Sequence, residues 1–438
     1  MSRTVSLATL GCKTNQFESA ALEEGLRDAG YQIVPFEEGA DLVVVNTCTV
    51  TAATDSQSRN LIRRARRLNG HARVVVTGCY AQVDPEAIRA IPGVAVVLGN
   101  EEKKDFLLYL QEAGRGDEGC PTIAVSDIRG SCDASPLPIS TFAERSRAFV
   151  QIQNGCDAFC SYCIIPYARG RSRSVPPERV LAQVQQLAEG GYPEAVLTGI
   201  HIGGYGSDLS PKTSLLELVG RIEGETAIPR LRLGSVEPTE IPDRLVGAVA
   251  ASKILCPHFH IPLQAGSDSV LARMNRHYDT AFFRDLVLRI RKDLPEAAIG
   301  LDVIAGFPGE TEEEFSNTLR LVEDLPVTHL HVFPYSRRPG TPAADMPGQV
   351  RGDVAKARAA RLRALGEEKN RSFAARFVGR TLEVVVEKGE EGGLWSGLTP
   401  NYLTVRFPGG EDHVGRRADV LVEECGPEGL RGRLVLKR

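Results

Sequence analysis

The chain reads as an α/β protein in three parts: an N-terminal Rossmann-like three-layer domain, a central partial (β/α)6 barrel and a small C-terminal β-barrel. Three observations predict this. Apolar runs alternate with helical stretches over the first 110 residues, giving a βαβαβ pattern. Strand and helix signals then alternate through six units between residues 146 and 336. After Gly379 the pattern changes to short strands and turns. The domains are drawn at 1–112, 145–375 and 376–438, joined by 113–144, where composition shifts to Gly, Asp, Ser and Pro.

At 438 residues the chain has room for two or three cores. Its 42% hydrophobic and 25% charged content is ordinary for a soluble globular protein. A formal net charge of −4 gives no global sign of nucleic-acid binding, so any such site must be a local patch. The absence of a run of ~18 apolar residues argues against a membrane span, and the N-terminus has no signal-peptide pattern. Ten cysteines in such a chain favour metal ligation in a reducing cytoplasm over disulfides.

In the N-terminal part three strand-like runs each end in a cysteine: Val5 to Cys12, Leu42 to Cys48 and Val74 to Cys79. Helical stretches from Glu18 to Ala29 and from Asp55 to Leu68 lie between them. Strands linked by such crossovers run parallel, so Cys12, Cys48 and Cys79 emerge at one carboxyl edge, where open sheets bind ligands. Three distant residues thereby become one candidate cluster site. The alternative is three unrelated core cysteines. The second helix carries Arg59, Arg63, Arg64, Arg66 and Arg67 with no acid among them. Such a run is either a solvated face or a patch that contacts RNA phosphates; the missing acids favour phosphates, with Arg59, Arg63, Arg66 and Arg67 as candidates. Cys120 and Cys132, in the connection, have no partner at ligand spacing and read as incidental.

The central part opens on Ala148–Gln153 and then Cys156-Asp157-Ala158-Phe159-Cys160-Ser161-Tyr162-Cys163. Thiolates at this close spacing wrap a soft metal centre such as an iron–sulfur cluster. A cubane normally takes four cysteines, and three leave one iron open for a substrate. A zinc knot with its fourth ligand elsewhere is the competing reading. Tyr167-Ala168-Arg169-Gly170-Arg171-Ser172-Arg173 follows, and Arg169, Arg171 and Arg173 are candidates for pairing with phosphate.

Further strands are expected at Glu194–Gly199, Arg230–Val236, His258–Leu263, Ile299–Ala305 and His329–Tyr335, with helices Pro177–Glu189, Leu215–Glu223, Asp279–Lys292 and Glu312–Glu323 between them. Barrel sites lie at the carboxyl ends of strands, which singles out Gly199, Glu237, Gln264 and Asp302. His258, His260 and His331 alternate with apolar residues and read as structural. A helix from Asp353 to Phe373 leads to C-terminal strands expected at Thr381–Glu387, Tyr402–Phe407, Ala418–Glu423 and Leu430–Leu436. There Trp395, Tyr402 and Phe407 are candidates for base stacking, with core packing the expected role of at least two.

The cysteine loop resembles that of radical S-adenosylmethionine enzymes. There the open iron chelates the cofactor's methionine end, and an electron from the cluster yields a 5′-deoxyadenosyl radical. A Cys-ended three-strand domain ahead of such a loop is similar to the methylthiotransferase family, whose signatures Thr9-Leu10-Gly11-Cys12-Lys13-Thr14-Asn15-Gln16 and Asn46-Thr47-Cys48-Thr49-Val50-Thr51 match closely. The resemblance implies two 4Fe–4S clusters, on Cys12, Cys48 and Cys79 and on Cys156, Cys160 and Cys163. It also implies S-adenosylmethionine held near Gly199, Glu237, Gln264 and Asp302, and a C-terminal TRAM domain that binds RNA. Members insert sulfur and a methyl group into an unactivated C–H bond. Gly11-Cys12-Lys13-Thr14-Asn15-Gln16, Ile164 to Gly170 and Ser235-Val236-Glu237-Pro238 look most like the branch that acts on threonylcarbamoyladenosine in tRNA. Sister branches act on isopentenyladenosine in tRNA or on a ribosomal-protein aspartate. The expected partners are tRNA and an electron donor such as flavodoxin or ferredoxin, in the cytoplasm, with no membrane and no DNA. From another class, a non-catalytic iron–sulfur RNA-binding protein has no use for the barrel motifs.

Overall fold

The computed structural model describes residues 4–113, 121–131, 134, 137, 139, 146–389 and 393–435, so Cys120, Cys132 and most of the connection lie outside the described residues. The chain packs as two compact units. The first holds 1–141, 151–175 and 336–344, and the second holds 142–150, 176–335 and 345–438. The cysteine loop therefore packs with the N-terminal sheet, although the sequence reading places it in the barrel part.

In the first unit the elements are β1 (Thr4–Thr9), α1 (Lys13–Asp28), β2 (Gln32–Ile33), β3 (Leu42–Thr47), α2 (Ala52–Leu68), β4 (Arg73–Gly78), α3 (Cys79–Val83), α4 (Pro85–Arg89), β5 (Val94–Leu98), α5 (Phe106–Ala113) and β6 (Thr122–Ala124). The sheet is parallel, in the order β2-β1-β3-β4-β5-β6. Every residue of β3 is buried, as expected for a strand covered on both faces. Val43, Val45, Val74 and Val76 pack with Ile62, Ala65, Tyr80 and Ile88. The alternate residues Leu42, Val44 and Val75 pack with Leu22, Leu26 and Phe106. Helix α2 starts at a reciprocal cap between Thr51 and Thr54. The three expected strands are β1, β3 and β4; β2, β5 and β6 extend the sheet.

Strand β7 (Ala148–Gln151) is followed by β8 (Gln153–Asn154), α6 (Ile165–Arg169) and β9 (Arg173–Ser174). β8 and β9 form a short antiparallel ribbon that closes the cysteine loop at its base.

The second unit continues with α7 (Pro177–Glu189), β10 (Ala195–Thr198), α8 (Leu215–Glu225), β11 (Leu231–Leu233), α9 (Asp243–Ala251), β12 (His258–Gln264), α10 (Asp268–Arg273), α11 (Thr280–Asp293), β13 (Ala298–Ala305), α12 (Glu312–Asp324) and β14 (His329–Pro334). Its strands neighbour in the orders β11-β10-β7 and β12-β13-β14. Parallel bridges from Leu231 to Leu255 and from Ser235 to His260 join the two sets. The result is the six-stranded partial barrel expected from sequence. After α13 (Pro342–Asp345) and α14 (Gly352–Ala375) come β15 (Thr381–Gly389), β16 (Leu394–Leu398), β17 (Thr404–Pro408), β18 (Arg417–Gly426) and β19 (Gly429–Leu434). These close a barrel in the order β15-β16-β17-β19-β18 around Val384, Val386, Val405, Phe407, Val420 and Val422. β16 is the strand that the sequence reading lacks.

The two barrels are joined through buried charge. Glu194, just before β10, takes Arg232 at 2.7 Å and Arg230 at 3.2 Å. Arg232 also donates to the carbonyls of Pro400 at 2.8 Å and Thr399 at 3.1 Å, beyond β16. This junction sits at the amino ends of the strands, which leaves the carboxyl ends for the site.

Candidate metal centres and cofactor site

Two glycines let the strand-end cysteines converge. Gly11 has φ +99°, and a Cβ there would lie 2.7 Å from Cys48 Cβ and 2.8 Å from its Sγ. Gly78, just before Cys79, has φ +98°, and a Cβ there would meet Thr47 O at 2.4 Å. Only glycine adopts this backbone freely and leaves that space. The Asn15 amide ties the edge together by donating to the carbonyls of Leu10 at 2.7 Å and Thr47 at 3.0 Å. Cys12 is exposed, Cys48 and Cys79 are buried, and all three are free thiols. Burial, then the neighbouring Cys79 and more weakly Cys12, push the Cys48 thiol up to about 12. Three thiolates this close repel one another unless a cation joins them. The donor set and its crowding fit an iron–sulfur cluster.

Arg169, at the end of α6, has no exposed surface. Its Nε–H donates to Cys79 Sγ at 3.2 Å, and its other nitrogens donate to both oxygens of Glu18 and to Asn15 Oδ1. Lys103, also buried, donates to the same Glu18 carboxylate and to Asn100 Oδ1. Burial opposes the Glu18 charge, yet Arg169 and Lys103 hold its carboxyl down at about 2. Arg169 keeps its proton against burial because Cys79 and Glu18 favour its charge. Sequence reasoning missed Glu18 and Lys103. The available signal was Glu18 four residues before Leu22 and eight before Leu26, a carboxylate on the apolar stripe of α1.

In the second loop Gly155 has φ +74°, and a Cβ there would lie 1.8 Å from Arg171 O. The Cys156 N–H donates to Gly170 O at 3.0 Å and the Cys163 N–H to Cys160 O at 2.9 Å. The Ala158 N–H points at Cys156 Sγ at 3.4 Å, the kind of bond that steadies a ligating thiolate. Phe159, at φ +45°, is a non-glycine outlier inside the loop, of the sort that functional loops retain. Cys160 is buried, and Cys156 and Cys163 are half-buried. Three thiols on one short loop fit a second cluster.

Toward the barrel's carboxyl edge, Gly199 directly follows β10, Glu237 lies in the loop after β11, Gln264 ends β12 and Asp302 lies within β13, three residues before its end. Gln264 ends β12 at a register shift and has φ +65°, again an outlier that marks a functional position. The Glu237 carboxylate is gripped by both terminal nitrogens of buried Arg276, a partner the sequence reading did not name. Asp302 Oδ1 lies 2.9 Å from His260 Nε2 and 3.4 Å from His331 Nδ1. Burial works against the Asp302 charge, but these two histidines hold its carboxyl below the usual range. Their ligand atoms gather within 4.8 Å, so the trio is a compact polar site. His260 and His331, which the sequence reading made structural, are thus paired with Asp302. His258 does have a packing role, stacked on Tyr402 with centroids 4.3 Å apart. Deeper in the barrel His329 lies over Gly300, where a Cβ would be 2.1 Å from its Nε2.

The arginine expectations divide. Arg63 and Arg67 are exposed on α2, and Arg59 and Arg66 are half-buried. Arg59 donates to Tyr80 Oη at 2.8 Å and Arg66 to Ala72 O at 3.2 Å. Arg171 is 70% exposed. Arg169 and Arg173 are corrections: both are buried, and Arg173 donates to the carbonyls of Arg169 and Arg171, so neither reaches a phosphate. Among the aromatic candidates, Phe407 is buried, and Tyr402 is covered by Arg232 at 5.3 Å and by His258.

Known proteins bear on these sites. Residues 4–99 match uncharacterized protein family UPF0004, 150–322 match the radical SAM superfamily and 375–435 match the TRAM domain. The threonylcarbamoyladenosine tRNA methylthiotransferase MtaB of Bacillus subtilis is 42% identical over 99% of this chain and 96% of its own length. Its namesake in Aquifex aeolicus is 37% identical over 95% of this chain and its whole length. The tRNA-2-methylthio-N(6)-dimethylallyladenosine synthase of Clostridium botulinum is 33% identical over 97% and 96%. Among solved structures, the radical S-adenosylmethionine methyltransferase TsrM of Kitasatospora setae shares the fold, with TM-score 0.55 and 20% identity over 78% of this chain and 77% of that one. The chain belongs to the radical S-adenosylmethionine methylthiotransferase family.

Proposed function

We propose that the protein is a tRNA methylthiotransferase that adds a methylthio group to carbon 2 of N6-threonylcarbamoyladenosine, just 3′ of the anticodon. One observation carries the reading: two sets of three cysteines, one at a sheet edge and one on a short loop, in a chain 42% identical over its length to a protein of that name. Cys12, Cys48 and Cys79 would hold one 4Fe–4S cluster, and Cys156, Cys160 and Cys163 the other. When bound, the clusters and S-adenosylmethionine supply one-electron chemistry and the methylthio group.

The chain's own residues bind and orient. Gly199, Glu237, Gln264 and Asp302 would hold S-adenosylmethionine. The Arg276–Glu237 clamp and the His260–Asp302–His331 trio fix two carboxylates in place before any ligand arrives, which limits the entropy lost on binding. The exposed Arg63, Arg67 and Arg171 would contact phosphates of the tRNA, with Arg59 and Arg66 beside them. An electron donor such as flavodoxin or ferredoxin and a cytoplasmic setting complete the reading. No described helix is long and apolar enough to cross a membrane.

Nucleoside mass spectrometry of tRNA from a host lacking its own methylthiotransferases, with and without this gene, tests the proposal. The expected product is 2-methylthio-threonylcarbamoyladenosine. The methylthio-isopentenyl nucleoside would keep the enzyme class and overturn the substrate. No new tRNA nucleoside from the cluster-loaded protein would point to the ribosomal-protein branch or to a non-catalytic role.

A further inference from the structure

Arg169 and its partners form the most completely buried charged group beside either thiol set. The guanidinium has no exposed surface, and Glu18 and Lys103 are 5% and 3% exposed. Burying an ion costs several kcal/mol unless it is paired, and here the pairing is unequal. Two cations face one carboxylate, so the enclosure carries one excess positive charge. Besides the neutral amide oxygens of Asn15 and Asn100, it touches the Cys79 sulfur, 3.2 Å from Arg169 Nε. A cubane in its oxidised state held by three thiolates carries a net charge of about −1. The excess of the protein and the deficit of such a cluster are equal and opposite.

The same residue has a second attachment. Arg169 lies six positions after Cys163. Its carbonyl accepts from Arg173, and the carbonyl of the next residue, Gly170, accepts the Cys156 N–H at 3.0 Å. The segment that carries Cys156, Cys160 and Cys163 is therefore latched through Arg169 to the sheet edge that carries Cys12, Cys48 and Cys79, all within the first unit.

We propose that Arg169 is a positioning residue for the N-terminal cluster: with Lys103 and against Glu18 it sets that cluster's reduction potential and holds the second cysteine loop in register with it. The proposal rests on the reading of Cys12, Cys48 and Cys79 as cluster ligands. An N–H···S bond and an adjacent cation both stabilise the more negative, reduced cluster. Removing Arg169 therefore lowers the potential, and neutralising Glu18 raises it.

The test uses the full chain with Cys156, Cys160 and Cys163 replaced by Ala, reconstituted with iron and sulfide, so that only the N-terminal cluster is present. Iron per chain is measured chemically, and the one-electron midpoint is read by EPR-monitored titration. Against this parent, Arg169→Met should shift the reduced-to-oxidised ratio at fixed potential at least tenfold toward oxidised, which is about 59 mV for a one-electron couple. Lys103→Met should shift it in the same direction, and Glu18→Gln in the opposite direction. Arg169→Lys, which keeps the charge, should recover part of the change. Opposite signs for the cation and carboxylate variants cannot come from a general loosening of the site. Should Arg169→Met fail to load, the Lys103→Met and Glu18→Gln pair carries the same sign test. Clusters that form in these variants with unmoved midpoints, or with all midpoints moved one way, overturn the proposal. A parent that binds no cluster overturns the ligand reading itself.

Discussion

Two buried arginine–glutamate groups serve different ends in this molecule. In the second unit Glu194 gathers Arg147, Arg230 and Arg232; Arg147 also pairs with Glu387, while Arg230 and Arg232 donate to the backbone carbonyls of Leu398, Thr399 and Pro400. Main-chain oxygens and Glu387 extend that group, and it joins one barrel to the other. In the first unit Arg169 and Lys103 converge on Glu18, and one guanidinium N–H goes to a thiol. That group is left open toward a site meant to be filled. The same pairing chemistry ends on other protein groups where it joins two barrels and on a thiol where a ligand is expected.

The largest effect should come from the Glu194 group. Glu194→Ala strands Arg230 and Arg232 and should cost about 3–5 kcal/mol, equally with and without iron. Trp395, the one tryptophan of the chain, reports unfolding of that unit in a denaturant titration. Glu18→Gln should cost less, about 3 kcal/mol in iron-free protein. Reconstitution should reduce the penalty, because a negatively charged cluster then faces the two cations. Equal penalties in the two states would erase the distinction between the groups.

His329 sharpens the contrast from another side, because burial is met there by neutrality. Burial first, and then His260 and His331, lower its pKa from 6.5 to about 3. The folded state thus binds fewer protons than the unfolded state between those values. Stability is complete above about pH 6.5 and falls as pH drops toward 3, by up to about 1.4 kcal/mol per pH unit. His329→Leu should flatten that slope between pH 6.5 and 5 in a series of denaturant titrations. The smallest effect belongs to an exposed pair. Arg64 lies 3.3 Å from Glu37 with both side chains largely in water, and Arg64→Ala should change stability by less than about 1 kcal/mol.

The cysteines were legible because they repeat a rule, one just after each of three neighbouring parallel strands. Strands β2 and β6 were not, since Gln32–Ile33 and Thr122–Ala124 are short and mostly exposed and show no buried alternation. Strand β5 is apolar throughout but ends in no cysteine to draw attention to it. The error over Arg169 has a clear physical source. Tyr167 to Arg173 looks uniformly basic, and nothing local separates buried Arg169 from exposed Arg171. The partners that decide it, Glu18 and Lys103, stand 151 and 66 residues away. Charge density can be read along a chain, but the burial that reverses its meaning is set by distant contacts.

Arg338 lies in the last segment of the first unit and is buried against Asp55 at 2.7 Å, with a further bond to Thr49. A ribosome making this protein must therefore complete most of the barrel before the N-terminal sheet can gain its final ion pair. At 5–20 residues per second the interval between residues 141 and 338 is roughly 10–40 s. During that time the strand-end thiols stand in a half-built edge open to oxidants and to stray metal ions. Cluster delivery is thereby tied to the end of synthesis, and a chain truncated before residue 338 should take up iron poorly even with all six cysteines present.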